Sequence, residues 1–250
     1  MNLRRCTLAI DEKDMSMEMQ WYAGKRAERA IKALQRNRLE AEYVPDRKEA
    51  LVKVREMIPP GGSIACGDSV TLHQIGFIDW LKQQKEHEVF NPFFVEYSEY
   101  NDLASFNDVR FNIARKAFTA NVFVTGSNAI TLNGEIVNMD GHGNRVAPML
   151  FGPNRVIIVA GYNKIVKDID EARTWIQEYV APVNMKRHFE KHGLTFLENL
   201  PCVKTGTCHH CNSENKGCMY TTIIGGWSPD PKSPNQHPTH VIIIGEALGI

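Results

Sequence analysis

Four of the six cysteines in this 250-residue chain, Cys202, Cys208, Cys211 and Cys218, fall within seventeen residues at the spacing C-x5-C-x2-C-x6-C. A C-x2-C pair lets two thiolates reach one ion across a tight turn, and two outer thiolates can complete tetrahedral coordination. The pattern predicts one Cys-bound metal centre, zinc or an iron–sulfur cluster, identities that spacing does not separate. A disulfide framework would spread its cysteines through a small secreted domain, so the clustering speaks against one. The alternative is four reduced thiols or a redox C-x2-C pair. His209 and His210 are substitute ligands in the same run, while Cys6 and Cys66 lie apart from it and read as bystanders. His188 and His192 are four apart on an expected helix but lack the glutamate of a zinc-protease pattern, and read as surface residues.

Two glycine-rich stretches carry the other candidate chemistry. Gly67, Asp68, Ser69, Val70 and Thr71 follow an expected buried strand. The glycine permits a tight turn, and a following helix would present unpaired N–H groups to an anion. Asp68, Ser69 and Thr71 are equally good helix caps, and the stretch is neither a Walker motif nor a dinucleotide fingerprint. The second stretch comprises Thr125, Gly126, Ser127 and Asn128, then Asn138 to Arg145. Asp140 is a candidate general base there, and His142 is of the type that titrates near neutrality. Arg145, at an expected helix start, is a candidate clamp for a carboxylate or phosphate, with Gly126, Asn128, Gly141 and Asn144 as lining. The alternative is an Asx-rich turn with Arg145 on the surface. Glu135 is a candidate nucleophilic carboxylate, or an exposed strand residue.

These loops need strands and helices to position them. Met19, Ala23, Ala27, Ala30 and Leu34 recur at helical spacing, which predicts an amphipathic helix over about 14–39. A short strand Glu42 to Val44, a helix capped by Asp46 and running to Met57, and a strand Ser63 to Cys66 follow. The next helix carries Leu72, Ile75, Ile78 and Leu81, and another has the stripe Phe106, Val109, Ile113 and Ala117. Asn121 to Thr125 is an expected strand. Ala129 to Thr131 and Glu135 to Val137 form an expected hairpin around Asn133-Gly134, the pair favoured where both turn residues need positive φ. A polar loop from Asn138 to Arg145 and a short helix to Leu150 come next. The strand Arg155 to Ala160 precedes a helix capped by Asp168 through Ile169, Ala172, Ile176 and Val180. Thr221 to Ile224 and His240 to Ile244 are strands separated by a Pro-rich loop, Ser228 to Pro238.

Alternating helices and strands predict an α/β fold, read as one domain over 1–250 with a Cys-rich excursion at 201–220. In an open α/β sheet the ligand crevice lies outside the carboxyl ends of the strands, so the two stretches are expected to meet at one pocket for a small anionic metabolite. Lys plus Arg and Asp plus Glu both total 29, giving zero formal charge and no global field for nucleic acid or acidic lipid. No apolar run approaches the roughly 20 residues of a membrane span. The start, Met1 to Asp14, is too short in apolar residues and too acidic for a secretory signal. The expectation is a cytoplasmic protein without nucleic-acid or membrane partners; a homo-oligomer is left open.

The chain resembles the LUD-domain, or lactate utilization, family. The residues that carry the resemblance are Gly67-Asp68-Ser69-Val70-Thr71-Leu72-His73-Gln74-Ile75-Gly76, the run Thr125 to Arg145 with Asn128-Ala129-Ile130-Thr131, Gly161-Tyr162-Asn163-Lys164-Ile165-Val166, and Gly245-Glu246-Ala247-Leu248-Gly249. It extends from about Met17 to Gly249. The resemblance implies a Rossmann-like sheet flanked by helices, similar to the sugar-phosphate isomerase and CoA-transferase group, and a part, with iron–sulfur partner proteins, in oxidising L-lactate to pyruvate. The related isomerases use an Asp-Gly loop, matched here by Asp140-Gly141, and the CoA transferases a Glu, for which Glu135 is the positional candidate. Three readings follow: a metabolic protein that binds a small anion, an isomerase-like or CoA-transferase-like enzyme, and a non-catalytic relay or assembly subunit built on the Cys cluster.

Overall fold

A computed structural model describes residues 13–193, 195–227 and 239–250. Cys6, the proposed absence of a leader and the Pro-rich loop Ser228 to Pro238 therefore lie wholly or mainly outside the described residues. The elements in chain order are α1 (Ser16–Arg36), β1 (Glu40–Val44), α2 (Arg47–Glu56), β2 (Ile64–Cys66), α3 (Val70–Gln74), α4 (Phe77–Lys82) and β3 (Val89–Phe90). Then come α5 (Leu103–Arg115), β4 (Val122–Gly126), β5 (Ala129–Thr131), β6 (Ile136–Asp140), α6 (Val146–Leu150), β7 (Arg155–Gly161) and β8 (Ile165–Val166). Last are α7 (Ile169–Trp175), α8 (Ala181–His192), α9 (Thr195–Glu198), α10 (Pro201–Thr205), β9 (Tyr220–Ile224) and β10 (Thr239–Ile244).

Six strands form a parallel sheet in the order β1-β10-β7-β4-β2-β3. Its central strands are apolar at consecutive positions because helices or a second layer cover both faces. Phe123, Ile158 and Ile243 point to one face, where they meet Ala27, Ala30 and Leu34 of α1 and Ile130 and Ile136 of the second sheet. Val122, Val124, Ile157, Val159, Ile242 and Ile244 point to the other, against Ala50 and Val54 of α2, Leu72 of α3 and Phe77, Ile78 and Leu81 of α4. The second sheet, β8-β5-β6-β9, includes the expected hairpin with Ala129 opposite Val137 and Ile130 opposite Ile136, but its turn is corrected: Gly134 N–H donates to the Thr131 carbonyl, and only Gly134 (φ +84°), not Asn133, takes a positive φ. Among the described residues, no helix is long and apolar enough to cross a membrane.

The chain leaves β2 outward to β3, then returns on the other side of β2 as β4. Direction thus reverses between β2 and β4, and their carboxyl ends, at Gly67 and Gly126, flank the crevice that such a reversal opens.

Several local expectations are corrected. Met19 is 47% exposed, so the inner stripe of α1 is Ala23, Ala27, Ala30, Ala33 and Leu34. The helix after Gly67 is two helices, divided at Gly76, whose φ of +79° ends the first. No residue of α5 is buried, and within the expected stripe only Ala117, just past its end, is fully enclosed. Asn138 to Asp140 are strand rather than loop, because they pair with Thr222 to Tyr220 of β9. The helix that starts at Ile169 widens to a π-turn at Ile176–Val180 and continues as α8. Pro182, just beyond, has no N–H to give to the carbonyl four residues back, which removes one α-helical bond at that place.

Candidate functional site

At the β2/β4 reversal three loops touch. Gly67 donates its N–H to the Val124 carbonyl, 3.1 Å away. A Cβ there would lie 2.8 Å from both Thr125 Oγ1 and Arg145 Cγ, and one at Gly126 would lie 2.5 Å from Ser69 Oγ. Only glycines let the loops after β2, β4 and β6 close to this distance. Ser69 accepts from Leu72 N–H and caps α3.

Arg145 locks the arrangement from inside. Its Nη1 donates to Asn138 Oδ1 (2.8 Å) and the Gly126 carbonyl (3.4 Å), and its Nη2 to Asn128 Oδ1 (3.1 Å) and the Met139 carbonyl (2.9 Å). Asn128 N–H donates to Asn138 Oδ1 and Met139 N–H to Asn128 Oδ1. The guanidinium is therefore neither a surface group nor a clamp held open for an anion: the residue is 9% exposed, and the protein itself takes the four donors of its terminal nitrogens. Asp140 is similarly engaged. Its Oδ2 accepts from the N–H groups of Arg145 and Val146 at the start of α6, and its Oδ1 is 3.8 Å from Arg145 Nε.

The charged centre of the site is Asp68, which stands at the turn from β2 into α3. Arg187 of α8 grips it with two parallel bonds, Nη1 to Oδ2 at 3.0 Å and Nη2 to Oδ1 at 3.1 Å. His188 Nε2 is 3.8 Å from the same Oδ2, so His188 is not a bystander on the surface. Burial by itself would raise the Asp68 pKa, but the bonds and charge of Arg187, with the charges of Lys191 and His188, outweigh it and hold the carboxyl at about 2. Arg110 and His73 also lie within electrostatic reach of Asp68. Arg110 is held over the rings of Phe93 and Phe106 at 5.5 and 5.1 Å, and Lys191 over Phe93 at 5.8 Å. Arg187 and Lys191 carry no signal in the sequence reading, and His188 is read there as a surface residue. Their spacing puts them on one face of a helix, but nothing local marks that face as meeting Asp68.

The remaining expected residues divide. Gly141 abuts Gly217, a Cβ on it coming 3.2 Å from Gly217 Cα, and His142 lies exposed with its ring 5.7 Å from that of Phe111. Asn144 is half-buried at the turn into α6, and Thr71 is 3% exposed on α3. Glu135 does not join them. It precedes β6, accepts from the Thr131 hydroxyl, and is separated from Asp140 by the length of that strand, roughly 17 Å at 3.3–3.4 Å per residue. The Asp140 and Glu135 candidates thus occupy opposite ends of one strand.

The Cys segment lies beside the Asp140 loop, to which Met219 N–H donates at the Asp140 carbonyl (3.0 Å). Cys202 on α10 and Cys208, Cys211 and Cys218 are free thiols. Burial pushes the Cys202 thiol up, and the charges of Cys211, Cys218 and Cys208 add to it, so the four sulfurs feel one another. Cys211 is shifted down by hydrogen bonds from Ser213. The donors are of the right kind for zinc or an iron–sulfur cluster, but among the described residues no group of three or more His, Cys, Asp or Glu side chains is placed to hold a metal ion. Cys66 is enclosed in the core, and burial, with the Asp68 charge, pushes its thiol up to about 12.

None of the curated proteins matches this sequence. Among solved structures the chain is similar to a DUF162-family protein from Deinococcus radiodurans, at 11% identity over 90% of this chain and 98% of that one, with a TM-score of 0.45. It is also similar to eIF2B delta from Chaetomium thermophilum (15% identity, 50% of each chain, TM-score 0.31). A third is ribose 5-phosphate isomerase from Plasmodium falciparum (15% identity, 48% of this chain and 52% of that one, TM-score 0.30). The LUD-domain family model matches residues 27–235, well over half of the sequence. The chain belongs to the LUD-domain family.

Proposed function

We propose that this protein binds a small anionic metabolite at the β2/β4 reversal and serves lactate utilization. The observation that carries the binding reading is the charge balance around Asp68. Asp68 faces the full cations of Arg187, Lys191 and Arg110, with His188 and His73 beside them and a second carboxylate, Asp79, within reach of His73. Asp68 neutralises one of those charges and fixes the plane of the Arg187 fork, and the surplus attracts a ligand carboxylate or phosphate. Asp68 also presents the acceptor that would suit a hydroxyl next to that anionic group. The lactate role itself rests on family membership, since L-lactate is such a hydroxy acid.

The test is calorimetric titration of L-lactate, pyruvate and a sugar phosphate into wild type and Arg187→Met. Loss of a charge-assisted contact worth about 1.5–3 kcal/mol should weaken binding by about ten- to a hundredfold. Equal affinity in both proteins would overturn the assignment. Preference for the sugar phosphate, with turnover, would favour an isomerase-like enzyme instead.

A second reading is favoured by the four thiols gathered beside the Asp140 loop. Here the Cys segment closes around a metal centre, zinc or iron–sulfur, and the chain relays electrons to iron–sulfur partner proteins or docks on them. Because thiolate sites often form only with their metal, the loop between Gly206 and Cys218 would rearrange on binding.

A further inference from the structure

Lys164 ends the single 3-10 turn Tyr162–Lys164 that joins β7 to β8, and 1% of its surface is exposed. Its Nζ has no hydrogen-bond partner among the described residues. An ammonium withdrawn from water without a counterion costs several kcal/mol. Burial alone is the cause that moves this amine, down to about 8, and among the described residues no carboxylate charge opposes it. It therefore still carries its proton on most molecules at neutral pH.

The segment after β10 closes over this amine. Gly245 N–H donates to the Val44 carbonyl, Arg47 holds the Glu246 carboxylate at 2.6 Å, and Tyr162 N–H donates to the Glu246 carbonyl. Leu248 N–H donates to Asn163 Oδ1 at 3.0 Å and Gly249 N–H to Gln74 Oε1 at 2.6 Å. Gly249 has φ +75°, and a Cβ there would run into Thr71 Oγ1 while standing 3.3 Å from Lys164 Cε and 3.5 Å from Nζ. The Thr71 hydroxyl and the Lys164 amine thus both lie against Gly249, and a side chain at 249 would collide with Thr71.

We propose that Lys164 and Thr71 form a buried oxyanion subsite, roofed by the segment Gly245 to Gly249, that takes a carboxylate or phosphate oxygen of a small ligand. The amine supplies the charge and the hydroxyl a second donor, and the roof must yield to admit the anion. The subsite shares no residue with the Arg187 cluster and does not depend on the reading of that cluster.

The experiment uses the full chain in an Arg187→Met background, which disables the outer cluster. Amines are acetylated with acetic anhydride in chloride, inorganic phosphate or malonate at equal ionic strength, and Lys164 is compared by mass spectrometry with the exposed Lys85. At about ten times its dissociation constant the bound anion should slow Lys164 labelling about tenfold while Lys85 is unchanged. Lys164→Met in the same background should abolish the anion-dependent rise in Tm. Protection by phosphate alone assigns a phosphate ester, and protection by malonate alone a carboxylate. Equal Lys164 labelling in all three salts overturns the subsite, as does a Lys164→Met protein that keeps the rise. If Lys164→Met does not fold, the labelling decides. Failure of the outer cluster would show differently, as wild-type and Arg187→Met proteins binding lactate equally with Lys164 still protected.

Discussion

Replacing Asp68 by Asn removes the charge at the centre of the site while keeping the side-chain size, and its cost can be worked from the acid titration of the wild type. The Asp68 carboxyl moves from an ordinary 3.8 to about 2 in the fold. A carboxylate depressed in the fold stabilises it fully above its unfolded pKa, and that stability is lost as pH falls through the folded value. A difference of this size amounts to about 2 kcal/mol, released between about pH 4 and pH 2. Wild type should therefore lose about 2 kcal/mol more than Asp68→Asn across that window, measured as urea unfolding free energies at a series of pH values. At neutral pH the variant should be the less stable by at least that amount, because Arg187 keeps its half-buried position beside Lys191 and Arg110 without the opposing charge. Added phosphate should restore part of the loss in the variant. Parallel stability curves for the two proteins from about pH 5 to pH 2 would refute the argument that the Arg187 pair stabilises the loop.

The other predictions concern separate features. Arg145→Met strips the inner loops of four hydrogen bonds and leaves Asn128, Asn138 and two carbonyls short of a donor, so stability should fall by about 3–5 kcal/mol; a variant as stable as wild type by thermal unfolding would show that the residue is not a structural pin. Lys164 is neutralised near pH 8 in the fold but at 10.5 when exposed, so the folded state binds fewer protons in between and wild type should gain about 3 kcal/mol over Lys164→Met as pH rises through that range. Urea titrations of the pair test this, and the difference between them cancels the opposite trend from the raised Cys66 thiol. Protein purified without oxygen should carry stoichiometric zinc or iron lost on replacing Cys202, Cys208, Cys211 and Cys218 by Ser; elemental analysis finding none, with all four thiols reacting freely in the folded state, would dismiss the metal centre.

Much of the architecture was legible locally. Apolar spacing located α1, and Asp46 and Asp168 declared themselves as caps by preceding helical runs, because a cap bonds to N–H groups two or three residues away. The β-branched runs of β7 and β10 were equally local signals, and Asn133-Gly134 marked the hairpin turn although only Gly134 takes a positive φ. The expected meeting of the loops after β2 and β4 followed from parallel strand order, which brings strand ends to one edge, whereas β6 belongs to the second, antiparallel-paired sheet and its loop is brought there by the tertiary packing. Local pattern also misled where a residue's neighbours are distant in sequence. Arg145 read as an anion clamp or else as a surface residue of an Asx-rich turn, and its acceptors, on β4, β6 and the turn between β4 and β5, turn it inward. Glu135 and Asp140 were separate candidate acids in one stretch of sequence, and the strand β6 holds them at its opposite ends.

The amino-acid sequence by itself determined the elements, their alternation and the loops that line the crevice, since periodicity, caps and turns are settled by residues within a few positions of one another. The tertiary structure decided which charges occupy that crevice. Arg187 reaches Asp68 across a separation of 119 residues, and Lys164 becomes a buried amine, without a hydrogen-bond partner among the described residues, only when the segment after β10 folds back over it. Contacts of that range depend on how helices and strand ends stack around the sheet, and the pairing of two oppositely charged side chains leaves no pattern in either one's own stretch of sequence.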